Sequence, residues 1–196
     1  GAAQAVTLGE YYKLPPFVRD IRMTKDLIVT IEGVGADIAL TGVTSPKGID
    51  RLDPALGAEL TLLRDDFFAS DEPLLIVSEE AFGLLRGEQT LRGFVTDPYI
   101  DRKFFPDEPT KGMGEQEFTV AGYYRGKGAE AFMPFAAAIA LTDRISGTLS
   151  VDSLAFIAKD NEKLPELREA ASEVFGTVDP EENYGIHRFA LTVHDE

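Results

Sequence analysis

Between residues 27 and 42 the chain leaves itself little conformational choice. Leu27, Val29 and Ile31 point one way while Thr30 and Glu32 point the other, a period of two that presents one apolar face only in an extended strand. Gly33 to Gly35 supplies a turn, and 37–42 is placed to pair back as a hairpin. A chain that begins its core with a hairpin must find further strands or helices to cover that face.

The remaining punctuation predicts where they come from. Thr7-Leu8-Gly9-Glu10 has the spacing of a capping box, and Pro15-Pro16 would stop the helix it opens. An extended segment over 17–21 follows. Short strands are expected at 58–62 and 74–77, with a helix over 79–86 stopped by Gly87. Residues 94–116, broken by Pro98, Pro106, Pro109, Gly112 and Gly114, read as loop. Phe118, Val120, Gly122 and Tyr124 then alternate with Glu117, Thr119, Ala121 and Tyr123, the pattern of a strand with one apolar face. Phe132-Met133 is extended, and Pro134 is expected at the first position of a helix over 135–141. A strand over 151–158, a cap at 160–163, an amphipathic helix over 165–175 and a strand over 186–193 complete a C-terminal β-α-β unit.

At 196 residues the chain can bury one substantial core or two small interlocked ones. Its 34 acidic and 19 basic residues give a net charge of −15, which repels nucleic acid and anionic lipid, so no nucleic-acid partner is expected. The absence of cysteine excludes disulfides, thiolate metal sites and cysteine nucleophiles. The longest strongly apolar run, 131–141, falls far short of the roughly 20 residues a membrane helix needs. A start at Gly1-Ala2-Ala3-Gln4, without Met or signal-peptide pattern, is what a soluble piece trimmed from a longer protein would show.

The search for chemistry turns on a few clusters. His187 and His194 are an odd number of residues apart in one predicted strand, so they face opposite ways and cannot share a metal through it. Gly126-Lys127-Gly128 lacks the further glycine and the following helix of a phosphate loop, and reads as a turn between strands. Asp97, Asp101, Asp107 and Glu108 match no calcium-loop spacing and read as an acidic surface loop, as do Glu181 and Glu182. In "FFASDEPLLIVSEEAF", residues 67–82, Asp71 and Glu72 precede Pro73, which opens a strand. Ser78 caps the next helix, and Glu79 and Glu80 suit its positive end. No catalytic, cofactor-binding or metal-binding residue is therefore expected, nor any cofactor, and the chain is not expected to be an enzyme.

Three stretches, "ADIALTGVTSP" (36–46), "FFASDEPLLIVSEEAF" (67–82) and "FTVAGYYRGKGAEAFMPFAAAIAL" (118–141), together with "SLAFIAKDNEKLPELREAASEVF" (153–175), resemble the extracytoplasmic, MacB-like periplasmic core domain of MacB/FtsX-type ABC transporter permeases. The wording is closest to Gram-positive members, and the likeness runs over about residues 25 to 196. Gly87-Glu88-Gln89-Thr90-Leu91 departs from the family's strand after the helix.

The resemblance implies an α+β fold in which a membrane-proximal, two-segment β-α-β subdomain, 1–45 and 146–196, carries an inserted mixed α/β subdomain, 46–145. It implies a domain between the first and second membrane helices of a plasma-membrane permease, facing the extracellular side. Its partners would be a second permease subunit, a cytoplasmic ATPase and an extracytoplasmic substrate or protein. Its role would be non-catalytic: binding or gating substrate, or transmitting ATP-driven motion. The alternative is a free-standing, lipoprotein-like surface binding module. A hydrolase or metal enzyme built on the acidic loops is a third reading, and it requires tight calcium or magnesium binding.

Overall fold

A computed structural model describes residues 18–84, 90–148, 151–158 and 160–175. The predicted helix near Thr7, the closing strand over 186–193, His187, His194, Glu181 and Glu182 lie outside them. By packing, the chain divides into one compact unit of residues 22–154 and another drawn from 2–21 and 155–196.

The first unit is built on β1 (Val18–Ile31) from Arg22 onward, β2 (Asp37–Val43), β3 (Leu60–Leu62), β4 (Leu74–Ser78), β5 (Thr90–Thr96), β6 (Met113–Tyr124) and β7 (Glu130–Pro134). The expected hairpin is present, with Leu27 opposite Leu40 and Val29 opposite Ile38. Gly33 and Gly35 turn it with φ of 86° and 72°, which a side chain would resist. Residues 18–21 and 27–31, expected in separate segments, belong to one strand of 14 residues.

Strand order runs β2-β7-β4-β6-β5-β1, with β3 on β6 and β8 (Ser153–Ala158) following β1. Because β1 pairs with both β2 and β5, the order closes into a circuit. Its weakest link is β4 to β7, joined at Ile76 and Phe132 alone. Residues of the expected proximal part, in β1 and β2, and of the expected insert, in β4 to β7, thus share one sheet.

Two clusters of apolar side chains flank this sheet. Leu75 and Val77 of β4 point into the larger one, with Leu27, Val29, Phe118 and Met133, under the helix α2 (Phe135–Ser146). Leu74 and Ile76 point into the smaller one, with Leu52, Phe67, Tyr124 and Phe132, beneath residues 49–68. A strand buried on both faces has no use for polar residues, which is why β4 reads as an unbroken apolar run.

The structure corrects the expected loop over 94–116. β5 and the first residues of β6 take its two ends, 94–96 and 113–116, paired from Thr90–Thr119 to Thr96–Met113. Leu91 and Val95 are buried, and between them a Cβ on Gly93 would lie 2.6 Å from Val29 Cγ2 and 3.2 Å from Phe118 Cε2. The glycine is demanded by packing, and it hides the alternation from a reader of the sequence. The loop proper is 97–112.

A second correction concerns β6. Its register against β4 slips by one residue, from Leu75–Val120 to Ile76–Gly122. The extra residue, Ala121, is a bulge that reverses the alternation. Phe118 and Val120 therefore face the larger cluster, whereas Tyr124 faces the smaller one. Tyr124 donates from its hydroxyl to Glu130 O at 2.9 Å.

Pro134 is the N-cap of α2, with extended ψ of 136°, rather than its first helical residue. Its ring still fixes φ at the entry to the helix. Ser78 Oγ accepts from Ala81 N at 3.1 Å and so caps α1 (Glu79–Leu84), as expected. Asp160 accepts from Glu162 N at 3.0 Å ahead of α3 (Leu164–Phe175).

Two glycines test the packing in opposite directions. A Cβ on Gly42 would collide with Ala138 Cβ of α2, while one on Gly83, in α1, would meet nothing within 4 Å. Gly42→Ala should cost about 1–3 kcal/mol by overpacking, and Gly83→Ala should gain about 0.5–1 kcal/mol through helix propensity. Urea denaturation of the two variants checks both signs.

Candidate functional site

The row Ile21, Met23, Leu27, Val29 and Ile31 on one side of β1 is interrupted by Lys25, which is in phase with it and equally buried. An ammonium group there must be neutralised, since its desolvation is otherwise costly. Asp152 Oδ2 lies 3.1 Å from Lys25 Nζ and Asp97 Oδ2 lies 3.7 Å away. The Tyr99 ring centroid, 5.5 Å from the same nitrogen, adds a cation–π contact.

Each acid is also held by its own hydrogen bonds. Asp152 Oδ2 accepts from Asp26 N at 2.7 Å, and Asp152 N donates to Thr24 O at 3.0 Å. Asp97 accepts from Ser146 Oγ at 3.0 Å and from Tyr99 N at 3.1 Å. Lys25 therefore ties together β1, the end of β5, the last residue of α2 and the stretch leading to β8. It is a clasp located where both ends of the 22–154 unit leave it.

Asp26 sits at its edge, accepting from Thr41 Oγ1 at 3.4 Å. Burial, and then the Asp152 carboxylate, push its carboxyl above the usual range. Tyr99 is likewise raised, by burial first and then by Asp26, Asp152 and Asp97. Nothing here pairs a nucleophile with a base, and the clasp reads as a structural charge network.

Asp97 is thus not the surface loop acid expected from sequence. A buried lysine from β1 reaches it, a contact between residues distant in the chain. Asp101 caps a single 3₁₀ turn through Lys103 N at 3.0 Å, Asp107 is exposed, and Glu108 lies 3.6 Å from Lys111. Among the described residues no three His, Cys, Asp or Glu side chains gather closely enough to hold a metal ion.

Gly126-Lys127-Gly128 is the expected turn between β6 and β7. Gly126 O accepts from Glu80 N, and Lys127 Nζ lies 3.6 Å from Glu80. Glu72 and Asp66 converge on Arg64, which holds the Asp66 carboxyl below its ordinary range. A depression of about 210 Å³ is lined by Asp50, Arg51, Gly57, Ala58, Glu59 and Arg125. It is smaller than ordinary ligand sites, and two of its charged side chains, Arg125 and Glu59, already pair with each other at 2.5 Å.

The sequence alone does not name the acids that meet Lys25, because both come from elsewhere in the chain. The one local signal of the clasp is a lysine in phase with five apolar residues.

No protein-family model and no curated protein matches this sequence. Solved structures do. The extracellular domain of the noncanonical ABC-type transporter YknZ from Gram-positive bacteria matches with a TM-score of 0.53 at 15% identity, over 87% of this chain and 81% of that one. The chain has the fold of that extracellular domain. The periplasmic region of MacB from Actinobacillus actinomycetemcomitans gives a TM-score of 0.49 at 13% identity, over 88% of this chain and 72% of that one. A domain of a putative permease protein from Porphyromonas gingivalis gives 0.41 at 16% identity, over 87% and 71%. At these scores the likeness to YknZ is the one that bears on the fold. The YknZ-type fold agrees with the expected resemblance. No helix among the described residues is long and apolar enough to cross a membrane.

Removing the lysine leaves Asp97 and Asp152 uncompensated, so Lys25→Met should lose about 3 kcal/mol or more in urea denaturation. Asp26 has the opposite sign. Its raised value means the native state favours the protonated acid, so its contribution is fully present below the ordinary carboxylate value of 3.8 and lost as pH rises through the raised one. Asp26→Asn, neutral throughout, should melt above wild type at pH 7, with the gap closing toward pH 3.8.

Proposed function

We propose that this chain is the extracytoplasmic domain of an ABC transporter permease subunit and that it does no chemistry of its own. In this reading it lies on the extracellular face of the plasma membrane, between the first and second membrane helices of a four-helix subunit. A second permease subunit and a cytoplasmic ATPase complete the machine. ATP-driven movement of the membrane helices reaches the domain through its two chain ends, and the domain binds or gates a substrate or an extracytoplasmic partner.

The observation that carries the reading is the Lys25 clasp. The 22–154 unit is entered by the chain twice, through β1 and through the stretch at Asp152, and the two are tied by the Lys25–Asp152 pair and two backbone-directed hydrogen bonds. Strands joined in this way transmit a displacement together, whereas separate tethers would let each slide alone. The YknZ-like fold supports the same reading. The composition of the other unit, from 2–21 and 155–196, supports a two-segment membrane-proximal part with a larger unit inserted into it. The boundaries 1–45, 46–145 and 146–196 are proposed on the sequence pattern.

The parent gene tests this directly. It should encode one apolar span of roughly 20 residues before residue 1 and three after Glu196, and a parent without them sinks the reading. In the assembled transporter, spin labels at Phe104→Cys in the two permease subunits should change separation between nucleotide-free and ATP-bound states. With Asp152→Asn that change should shrink while ATP hydrolysis persists. An unaltered change in the variant would remove the clasp from the mechanism.

A further inference from the structure

A lysine and an aspartate in contact hold all the atoms of one amide bond and one water. In solvent, hydration of the ammonium and the carboxylate keeps them as separate charges. Burial removes that protection. The Lys25 side chain has no exposed surface, and the acids against it, Asp97 and Asp152, are 1% and 13% exposed. Moving one proton from Nζ to a carboxylate there erases two charges from an apolar setting. As an ammonium group Lys25 is no nucleophile; as an amine it is one.

Three details of the clasp go beyond what neutralising a charge requires. Two carboxylates face one amine, Asp152 Oδ2 at 3.1 Å and Asp97 Oδ2 at 3.7 Å. One can be acylated while the other takes and returns protons. Asp152 Oδ2 also accepts from Asp26 N at 2.7 Å. A backbone N–H aimed at that oxygen stabilises the negative charge it gains when Cγ becomes tetrahedral. Finally, both acids are fixed in place. Asp152 N donates to Thr24 O at 3.0 Å, and Asp97 is held by Ser146 Oγ and Tyr99 N. With Nζ in contact with Oδ2, the carboxyl carbon is one bond further, so no diffusion has to bring the reacting groups together.

We propose that Lys25 and Asp152 condense into an amide cross-link once the chain has folded. Asp97 accepts a proton from the Lys25 ammonium, and the freed amine attacks Cγ of Asp152. The Nζ–Cγ bond forms and the Cγ–Oδ1 bond breaks. Of the three ammonium protons one stays on the amide nitrogen, and two leave with Oδ1 as water, one of them by way of Asp97. Oδ2 becomes the amide carbonyl oxygen, still facing Asp26 N. The atoms and charges balance without an outside reactant. The step runs once, on the chain itself, and turns over no substrate. Its product closes 25–152 into a covalent ring and ties β1 to the approach to β8. The inference rests on the clasp geometry and stands apart from the transporter reading.

Mass spectrometry of the intact chain under denaturing conditions tests it. The purified wild type should be about 18 Da lighter than its sequence, by the one water lost. Trypsin should fail to cut after Lys25 and should release a branched peptide joining 23–47 to 145–159. Lys25→Arg and Asp152→Ala should show full mass. Asp97→Asn, which keeps the shape but cannot take the proton, should stay largely at full mass when the wild type has condensed completely. Matched far-ultraviolet circular dichroism ensures that full mass in a variant does not come from an unfolded chain. Full mass in the wild type, or a branch between other residues, overturns the proposal. Condensation of Asp97→Asn as fast and complete as the wild type's also overturns it, because the proton transfer is assigned to that carboxylate.

Discussion

A lysine with no exposed side chain, placed in an apolar row, sets conditions that the rest of the 22–154 unit has to meet. Lys25 needs carboxylates that arrive from elsewhere in the chain, and Asp97 and Asp152 supply them from the end of β5 and the approach to β8. Those acids in turn fix Ser146 at the end of α2, the start of loop 97–112 and the backbone of β1. An apolar residue at position 25 would demand none of this. The charge makes the meeting of four segments specific, because any arrangement that leaves it unpaired is penalised by several kcal/mol.

Around that clasp the sheet is organised by burial on both sides. β4 serves two clusters at once, and the bulge at Ala121 lets β6 do the same by moving Tyr124 to the opposite face from Phe118. Close approaches at Gly42 and Gly93 then let α2 and the ring of Phe118 settle against strand backbone. These contacts pack strand backbone directly against helix and ring within the 22–154 unit.

Much of the local structure was legible because it follows from short-range rules. The hairpin at 33–35, the buried run of β4, Ser78 as a helix cap and the Asp160 cap each depend on residues within a few positions of one another. Among the carboxylates of 67–82, Glu79 and Glu80 stand in the first turn of α1, and Glu72 pairs with Arg64. Where the sequence misled, a distant contact had overridden the local signal. Phe94, Val95 and Thr96 read as loop because the strands they pair with, β1 and β6, bring their partners from elsewhere in the chain. Asp97 looked like surface because its lysine is 72 positions earlier, a separation read directly from the numbering.

By itself the sequence determined the period-two strands, the capped helices, the lack of any thiol chemistry and the acidic surface, since each is a property of composition or of neighbouring residues. It also carried enough pattern for a family resemblance that the YknZ-like fold bears out. Tertiary structure alone decided that the strands close into a circuit, that β6 changes face at Ala121, and that Lys25, Asp97 and Asp152 meet. The reason is that register, bulges and the pairing of buried charge are settled by which distant surfaces come together, and no local pattern encodes the partner.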